Sequence, residues 1–196
     1  MANFYIADPH LEHANVIKFD PRPFKDTKDM LQQFKQNWNA AVTDSDTVFI
    51  CGDFIWGKET AWQNIVPQFN GRKILIRGNH DPKEYSREVR KLFVDIRDTM
   101  ELTDSGKHVI LSHYPMPFHK GDYNTDCYML YGHVHNSREA QYMREIRDMV
   151  RKRINGTKGE PRGQFIHIGC MEPYMNYTPR TLEEIIKGDA QYYPAP

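Results

Sequence analysis

Short apolar runs rich in β-branched and aromatic residues alternate along the chain with longer stretches of helical periodicity, which predicts an α/β layered architecture. The strand-like runs are Phe4–Ala7, Thr47–Cys51, Lys73–Ile76, Lys107–Ser112, Cys127–Tyr131 and Gln164–Ile168. Between Thr27 and Val42 the apolar residues Leu31, Phe34, Trp38 and Ala41 recur at helical spacing, with Asp26 or Thr27 available as the N-cap. Similar patterns predict helices over Ala61–Phe69, Glu84–Leu92, Glu139–Ile154 and Thr181–Ile186. Thr103-Asp104-Ser105-Gly106 separates two strand-like pieces and reads as a hairpin turn. The stretch Asn155–Gly163, rich in Gly, Lys and Arg, reads as a surface loop.

Composition narrows the class without changing this picture. With 196 residues, 39% hydrophobic and 27% charged, the chain is expected to fold as one globular domain over residues 1–196, and disordered, collagen-like and coiled-coil classes are excluded. Twenty-six basic against twenty-six acidic residues give no net field to attract nucleic acid or an anionic membrane. The longest apolar run, Cys127–Tyr131, is far short of the roughly 20 residues needed to cross a bilayer. The N-terminal residues lack the pattern of a secretory signal, and a cytoplasmic location is expected. Cys51, Cys127 and Cys170 show no CxxC spacing and read as buried small hydrophobes in a reducing compartment.

The histidines carry more information, because most of them cluster with Asp, Asn and Gly where a strand ends. Phe4–Ala7 runs into Asp8-Pro9-His10, and Val48–Cys51 into Gly52-Asp53. Ile74–Arg77 runs into Gly78-Asn79-His80-Asp81, Val109–Ser112 into His113, and Tyr128–Tyr131 into Gly132-His133-Val134-His135. Ligands of α/β sheets collect beyond the carboxyl ends of strands, so these donors would share one rim. The preceding glycines permit tight turns close to a ligand. There are too many donors for one tetrahedral site and about enough for two metals sharing a carboxylate. Imidazole and carboxylate without thiolate suit manganese, iron, zinc or nickel.

Taken in order, Asp8-x-His10, Gly52-Asp53, Gly78-Asn79-His80-Asp81, His113 and Gly132-His133-Val134-His135 resemble the motifs of the calcineurin-like metallophosphoesterase superfamily. The closing segment Asn176–Ile185 is similar to the ends of its small prokaryotic and phage members. Asp8-Pro9-His10-Leu11-Glu12-His13 and Arg22-Pro23-Phe24 look like a subgroup of these. One departure is Cys170-Met171, where relatives often carry an Asp.

The resemblance implies a four-layer α-β-β-α sandwich of two mixed sheets. It implies that Asp8, His10 and His135 hold one divalent metal, manganese first, that Asn79, His113 and His133 hold the other, and that Asp53 bridges them. A bridging water would attack phosphorus in line, His80 would protonate the leaving oxygen or stabilise its charge, and Asp81 would hold the His80 ring. His13 and Arg22 are candidate substrate contacts, with support behind the metal ligands or helix capping for His13 and packing or ion pairing for Arg22 as the competing roles. His167 reads as structural, and His108 and His119 as surface residues.

Arg138–Gly163 holds eight basic and four acidic residues, and Arg144, Arg147 and Arg151 share one helical stripe, expected to be a solvated face. The expected activity is hydrolysis of a small phosphomonoester or phosphodiester, a class that includes nucleotides. A nuclease acting on short single strands or RNA ends and a non-catalytic scaffold are the alternatives, while extended duplex partners are not expected.

Overall fold

The computed structural model describes residues 1–153 and 158–194. Two four-stranded sheets form its centre. The first comprises β1 (Asn3–Ile6), β2 (Thr47–Cys51), β3 (Arg72–Ile76) and β4 (Asp95–Arg97), in that spatial order and parallel throughout. The second comprises β5 (Thr99–Asp104), β6 (Lys107–Ser112), β7 (Cys127–Tyr131) and β8 (Phe165–His167), with β5 antiparallel to β6 and the other pairs parallel. Parallel strands buried on both faces read as continuous apolar runs, which is why Val48–Cys51 and Ile74–Ile76 are buried without alternation. The β5–β6 hairpin turns on Ser105-Gly106, both at positive φ as a two-residue primed turn demands.

Helices flank both sheets, giving the expected α/β sandwich. In α2 (Thr27–Ala41) Asp26 accepts hydrogen bonds from the backbone N–H groups of Lys28 and Asp29, settling the cap on Asp26. Its Met30, Phe34 and Trp38 enter the main core, together with Trp62 and Ile65 of α3 (Glu59–Ile65). A smaller core, built on Ile110, Met129 and Phe165, takes in Ala140 and Met143 of α5 (Arg138–Lys152). The two sheets are sewn at one corner. Ala7 N–H donates to Ile168 O at 2.9 Å and Cys170 N–H to Ala7 O at 2.8 Å, so the exits of β1 and β8 meet.

Several elements depart from the sequence reading. The helix expected over Ala61–Phe69 becomes α3 plus a 3₁₀ turn, Val66–Gln68, because Pro67 supplies no N–H to continue the α ladder. The stretch Glu84–Leu92 keeps only a single helical turn, α4 (Arg87–Arg90), since the chain must then bury Phe93 against Trp62 and enter β4. The edge strand β4 is half-exposed and polar, without the apolar run that marks a buried strand. A short α1 (Val16–Phe19) was not anticipated, and the last helix, α6 (Leu182–Tyr192), runs beyond Ile186. The end of the helix expected to reach Ile154, and residues 155–157 of the expected loop, lie outside the described residues.

The arginine stripe of α5 is not a solvated face. Arg147 is buried and donates from Nη1 to Asp189 Oδ1 of α6 at 2.6 Å, while Arg144 lies over the Tyr193 ring at 5.4 Å. Among the described residues, no helix is long and apolar enough to cross a membrane.

Candidate metal centre

The carboxyl ends of β1, β2, β3, β6 and β7 deliver their polar residues to one place. Asp8, His10, Asp53 and His135 each offer a ligand atom, all within 4.8 Å of one another. His10 Nε2 and His135 Nε2 are 3.1 Å apart. On the other side, Asn79 Oδ1 lies 2.8 Å from both His113 Nε2 and His133 Nδ1. Asp53 stands between the groups, its Oδ2 3.4 Å from His10 Nε2 and 3.5 Å from His113 Nε2.

Two of these histidines are oriented so that a bare ring nitrogen faces other donor atoms, an arrangement that suits a cation site. His113 Nδ1 meets the carbonyl of Cys51 at 3.0 Å, so this nitrogen carries the proton and Nε2 is left as a bare lone pair facing Asn79 Oδ1 and Asp53 Oδ2. His135 likewise turns Nδ1 to Asp20 Oδ2 at 3.2 Å, leaving Nε2 for His10. Burial pushes the His10 pKa down to about 2, so this ring is uncharged at neutral pH. Burial would raise Asp8, but the surrounding His167, His135, His113 and His10 hold it well below the usual carboxylate range. Asp53 is raised by burial and by the charge of Asp8, with His113 opposing. A shared divalent cation on each side would satisfy every one of these groups. The donor set therefore fits the metals that the resemblance implies.

The backbone is shaped for this purpose. Asp8, His10, Asp53, His133 and His135 all have φ between +46° and +72°, a region that costs a residue with a Cβ about 1–2 kcal/mol. Such strain gathers at functional sites, where surrounding structure overrides it. Gly52, at φ +87°, leaves no room for a side chain, since a Cβ would run into the His113 ring and the Gly78 backbone. A Cβ on Gly132 would lie 2.7 Å from Asp8 Oδ2.

The remaining sequence candidates divide. His80 donates its backbone N–H to Asp53 Oδ1 at 2.8 Å and leaves its side chain exposed beside Trp56, 5.7 Å from the His10 ring between centroids. Asp81 does not hold that ring. Its buried carboxylate accepts from the backbone N–H groups of Asp53 at 2.9 Å, Phe54 at 3.0 Å and Gly78 at 2.8 Å, clamping the two ligand loops together.

His13 accepts the Val16 N–H at Nδ1 and so caps α1, while its ring packs edge-on against Trp56 at 4.2 Å. Arg22 departs from the substrate-contact expectation. Its side chain is fully buried and its guanidinium is used on Asp20, Pro9 O and Asp8 O. It braces the Asp8–His10 turn from behind and presents nothing to the cleft.

Three supporting residues escaped the sequence reading. Asp20 orients His135 and is itself held by Arg22 Nε at 3.1 Å; its position two residues before Arg22 was the available signal. His167, taken as structural, places Nε2 3.8 Å from Asp8 Oδ2 and turns Nδ1 to Glu172 Oε1 at 2.7 Å. Glu172 is in turn held by the Tyr193 hydroxyl at 2.8 Å. Carboxylates behind histidines fix ring orientation at metal sites.

Fold and site together define a class, the two-sheet α/β proteins with an Asp/His metal-binding centre at the strand ends. The family model for calcineurin-like phosphoesterases matches residues 4–174, and the chain belongs to that family. Membership implies a hydrolase acting on phosphate esters. Over 186 residues the chain is 28% identical to the uncharacterized protein MJ1445 of Methanocaldococcus jannaschii, covering 94% of this chain and 89% of that protein. It is also similar to the crystal structure of AQ665, a protein of unknown function from Aquifex aeolicus, at 26% identity and a TM-score of 0.63, covering 94% of this chain and 97% of the other.

Proposed function

We propose that this chain is a phosphohydrolase working with two divalent metal ions, manganese first among iron, zinc and nickel, on a small phosphomonoester or phosphodiester. The observation that carries the reading is the place of Asp53 Oδ2, nearly equidistant from one histidine of each donor group. Asp8, His10 and His135 would hold one ion, Asn79, His113 and His133 the other, and Asp53 both. When bound, the ions supply Lewis acidity toward the phosphoryl oxygens and an activated water.

The chain's own residues do the rest. The Asp81 clamp and the Arg22 brace hold the ligand loops, and Asp20 and Glu172 aim His135 and His167. His80, exposed on the same rim and 5.3 Å from Trp56 between ring centroids, protonates the departing oxygen.

A second reading has a specific observation behind it. Phe19, Trp56 and Tyr114 are exposed around the centre, packing against His135, His13 and His133 respectively, and such rings stack on the bases of single strands. Cleavage of short single-stranded or RNA-end substrates is therefore the alternative substrate class within the same chemistry.

The decisive experiment measures metal content of protein purified without chelator and its manganese-dependent turnover on a panel of phosphomonoesters, cyclic nucleotides, dinucleotides and short oligonucleotides. Two ions at the strand-end centre, with Asp53→Asn losing both along with the activity, support the proposal. One ion at that centre with Asp53→Asn unaffected, or metal-independent turnover, would overturn it.

A further inference from the structure

A second gathering of metal-capable side chains lies outside the centre described above, at the opposite end of the same sheet. The parallel register of β6 and β7 sets His108 beside Cys127. Side chains alternate faces with a period of two along a strand, and His108 and Cys127 fall on the same face as Ile110 and Met129, the face covered by α5. His108 stands five positions before the ligand His113, so about 16 Å of strand lies between the two ends at 3.3 Å per residue.

Cys127 Sγ lies 3.4 Å from His108 Nδ1 and 4.0 Å from His119 Nδ1. In a tetrahedral zinc site with Zn–S of about 2.3 Å and Zn–N of about 2.0 Å, a sulfur and a nitrogen on one ion stand about 3.5 Å apart. The two separations bracket that value, while the nitrogens of His108 and His119 do not come within 4.8 Å of each other, His119 Nδ1 facing the Lys120 carbonyl at 3.3 Å. His108 turns its other nitrogen, Nε2, to Glu101 Oε2 at 3.2 Å, the carboxylate arrangement that leaves Nδ1 free to ligate. Glu101 is itself held by Lys120 Nζ at 3.0 Å. Beside the sulfur, Gly121 at φ +80° leaves open the space a Cβ would fill, 3.4 Å from Cys127 Sγ and 3.8 Å from His108 Nδ1.

We propose that Cys127, His108 and His119 form a binding site for one zinc ion, with water in the fourth position. Binding replaces the S–H bond of Cys127 with an S–metal bond and releases that proton to solvent. The half-exposed His119 ring swings in to complete the set. The ion pins the segment that leaves the ligand His113 and returns at Cys127, and so steadies Tyr114 beside the metal centre. The site stands independently of the phosphoesterase reading, since none of its ligands belongs to that centre.

Cobalt(II) is the probe, because a thiolate ligand gives it a near-ultraviolet charge-transfer band that imidazole and carboxylate ligands do not. Chelator-treated protein titrated with cobalt should develop a band that saturates at the absorbance of one thiolate-bound ion per chain, and added zinc should bleach it. Cys127→Ser should abolish it. His108→Gln and His119→Gln, with folding checked by circular dichroism, should weaken cobalt binding at least tenfold, and Glu101→Gln should weaken it about 10- to 100-fold. Asp53→Asn, which disrupts the other centre, should keep the band, so loss of the phosphoesterase reading would leave this result standing. No band in the wild type, a band that survives Cys127→Ser, or full affinity in both folded histidine variants would overturn the proposal.

Discussion

His80 and Asp81 are neighbours with opposite tasks. The His80 side chain reaches the open rim, whereas the Asp81 carboxylate turns inward to three backbone N–H groups. His80→Ala is expected to keep both metals and to lower turnover on alkyl esters by about 10² to 10⁴, the usual worth of general acid catalysis. On p-nitrophenyl esters, whose leaving group departs without a proton, the loss should shrink markedly. Comparing kcat on both ester types alongside metal content checks this, and an equal loss on both would remove the proton-donor role.

Asp81→Asn should behave quite differently. The amide replaces one acceptor oxygen with an N–H₂ group that faces a backbone donor, and a buried donor left unpaired costs about 1–3 kcal/mol. The variant is expected to unfold at lower urea concentration and to bind metal more weakly, with any change in kcat accounted for by metal occupancy. Unchanged stability would contradict the clamp.

Elements, more than single residues, decide how much of this was readable in advance. The five strand ends that carry the candidate ligands were legible because Asp, Asn and His are chemically out of place at the end of an apolar run, so each one stands out without any knowledge of pairing. The supporting groups were hidden for the reverse reason. Glu172 and His167 act on Asp8 only because the exits of β1 and β8 are stitched through Ala7, and that register has no local signature. Arg147 looked like solvated charge because α6, which supplies Asp189, is far away in sequence. The strand β4 was missed because it lies at a sheet edge and has too few buried positions to show a pattern.

One clamp between elements makes a pH prediction. Asp46, just before β2, accepts Ala2 N–H at 2.7 Å, Thr43 N–H at 2.9 Å and the Thr43 hydroxyl at 2.7 Å, tying the start of β1 to the end of α2. Bonding to the Thr43 side chain, and then to the Ala2 and Thr43 backbones, lowers its pKa from 3.8 to about 2. A carboxyl lowered by folding contributes stability that is full above its unfolded pKa and is lost as pH falls through the folded one. The urea-unfolding gap between wild type and Asp46→Asn should therefore be largest near neutrality and close between about pH 4 and pH 2. A gap that persists unchanged at pH 2 would mean that shape, and not the charge, holds this junction.

At the scale of the whole molecule, the two sheets meet where charge is most crowded. Asp8 and Asp53 are both buried among histidine lone pairs, and five of the residues there hold strained backbone conformations. Without cations these buried carboxylates and lone pairs face one another, and bound cations would fix the exits of five strands together. Metal binding is then a folding term, because the unfolded chain has no preformed site. At a free metal concentration of 100 times Kd, each site adds about 2.7 kcal/mol, or about 5 kcal/mol when both are filled. For a chain of this length 1 kcal/mol shifts Tm by about 2–4 °C, so chelator treatment should lower Tm by about 10–20 °C, and added manganese should restore it. Asp53→Asn should respond to chelator much less, since in the proposed assignment both ions would share that residue. Calorimetry of the two proteins with and without EDTA, at equal concentration and pH, provides the measurement. A wild-type Tm indifferent to chelator would show that the donor cluster is stable without cations, and the binuclear reading of the centre would fall with it.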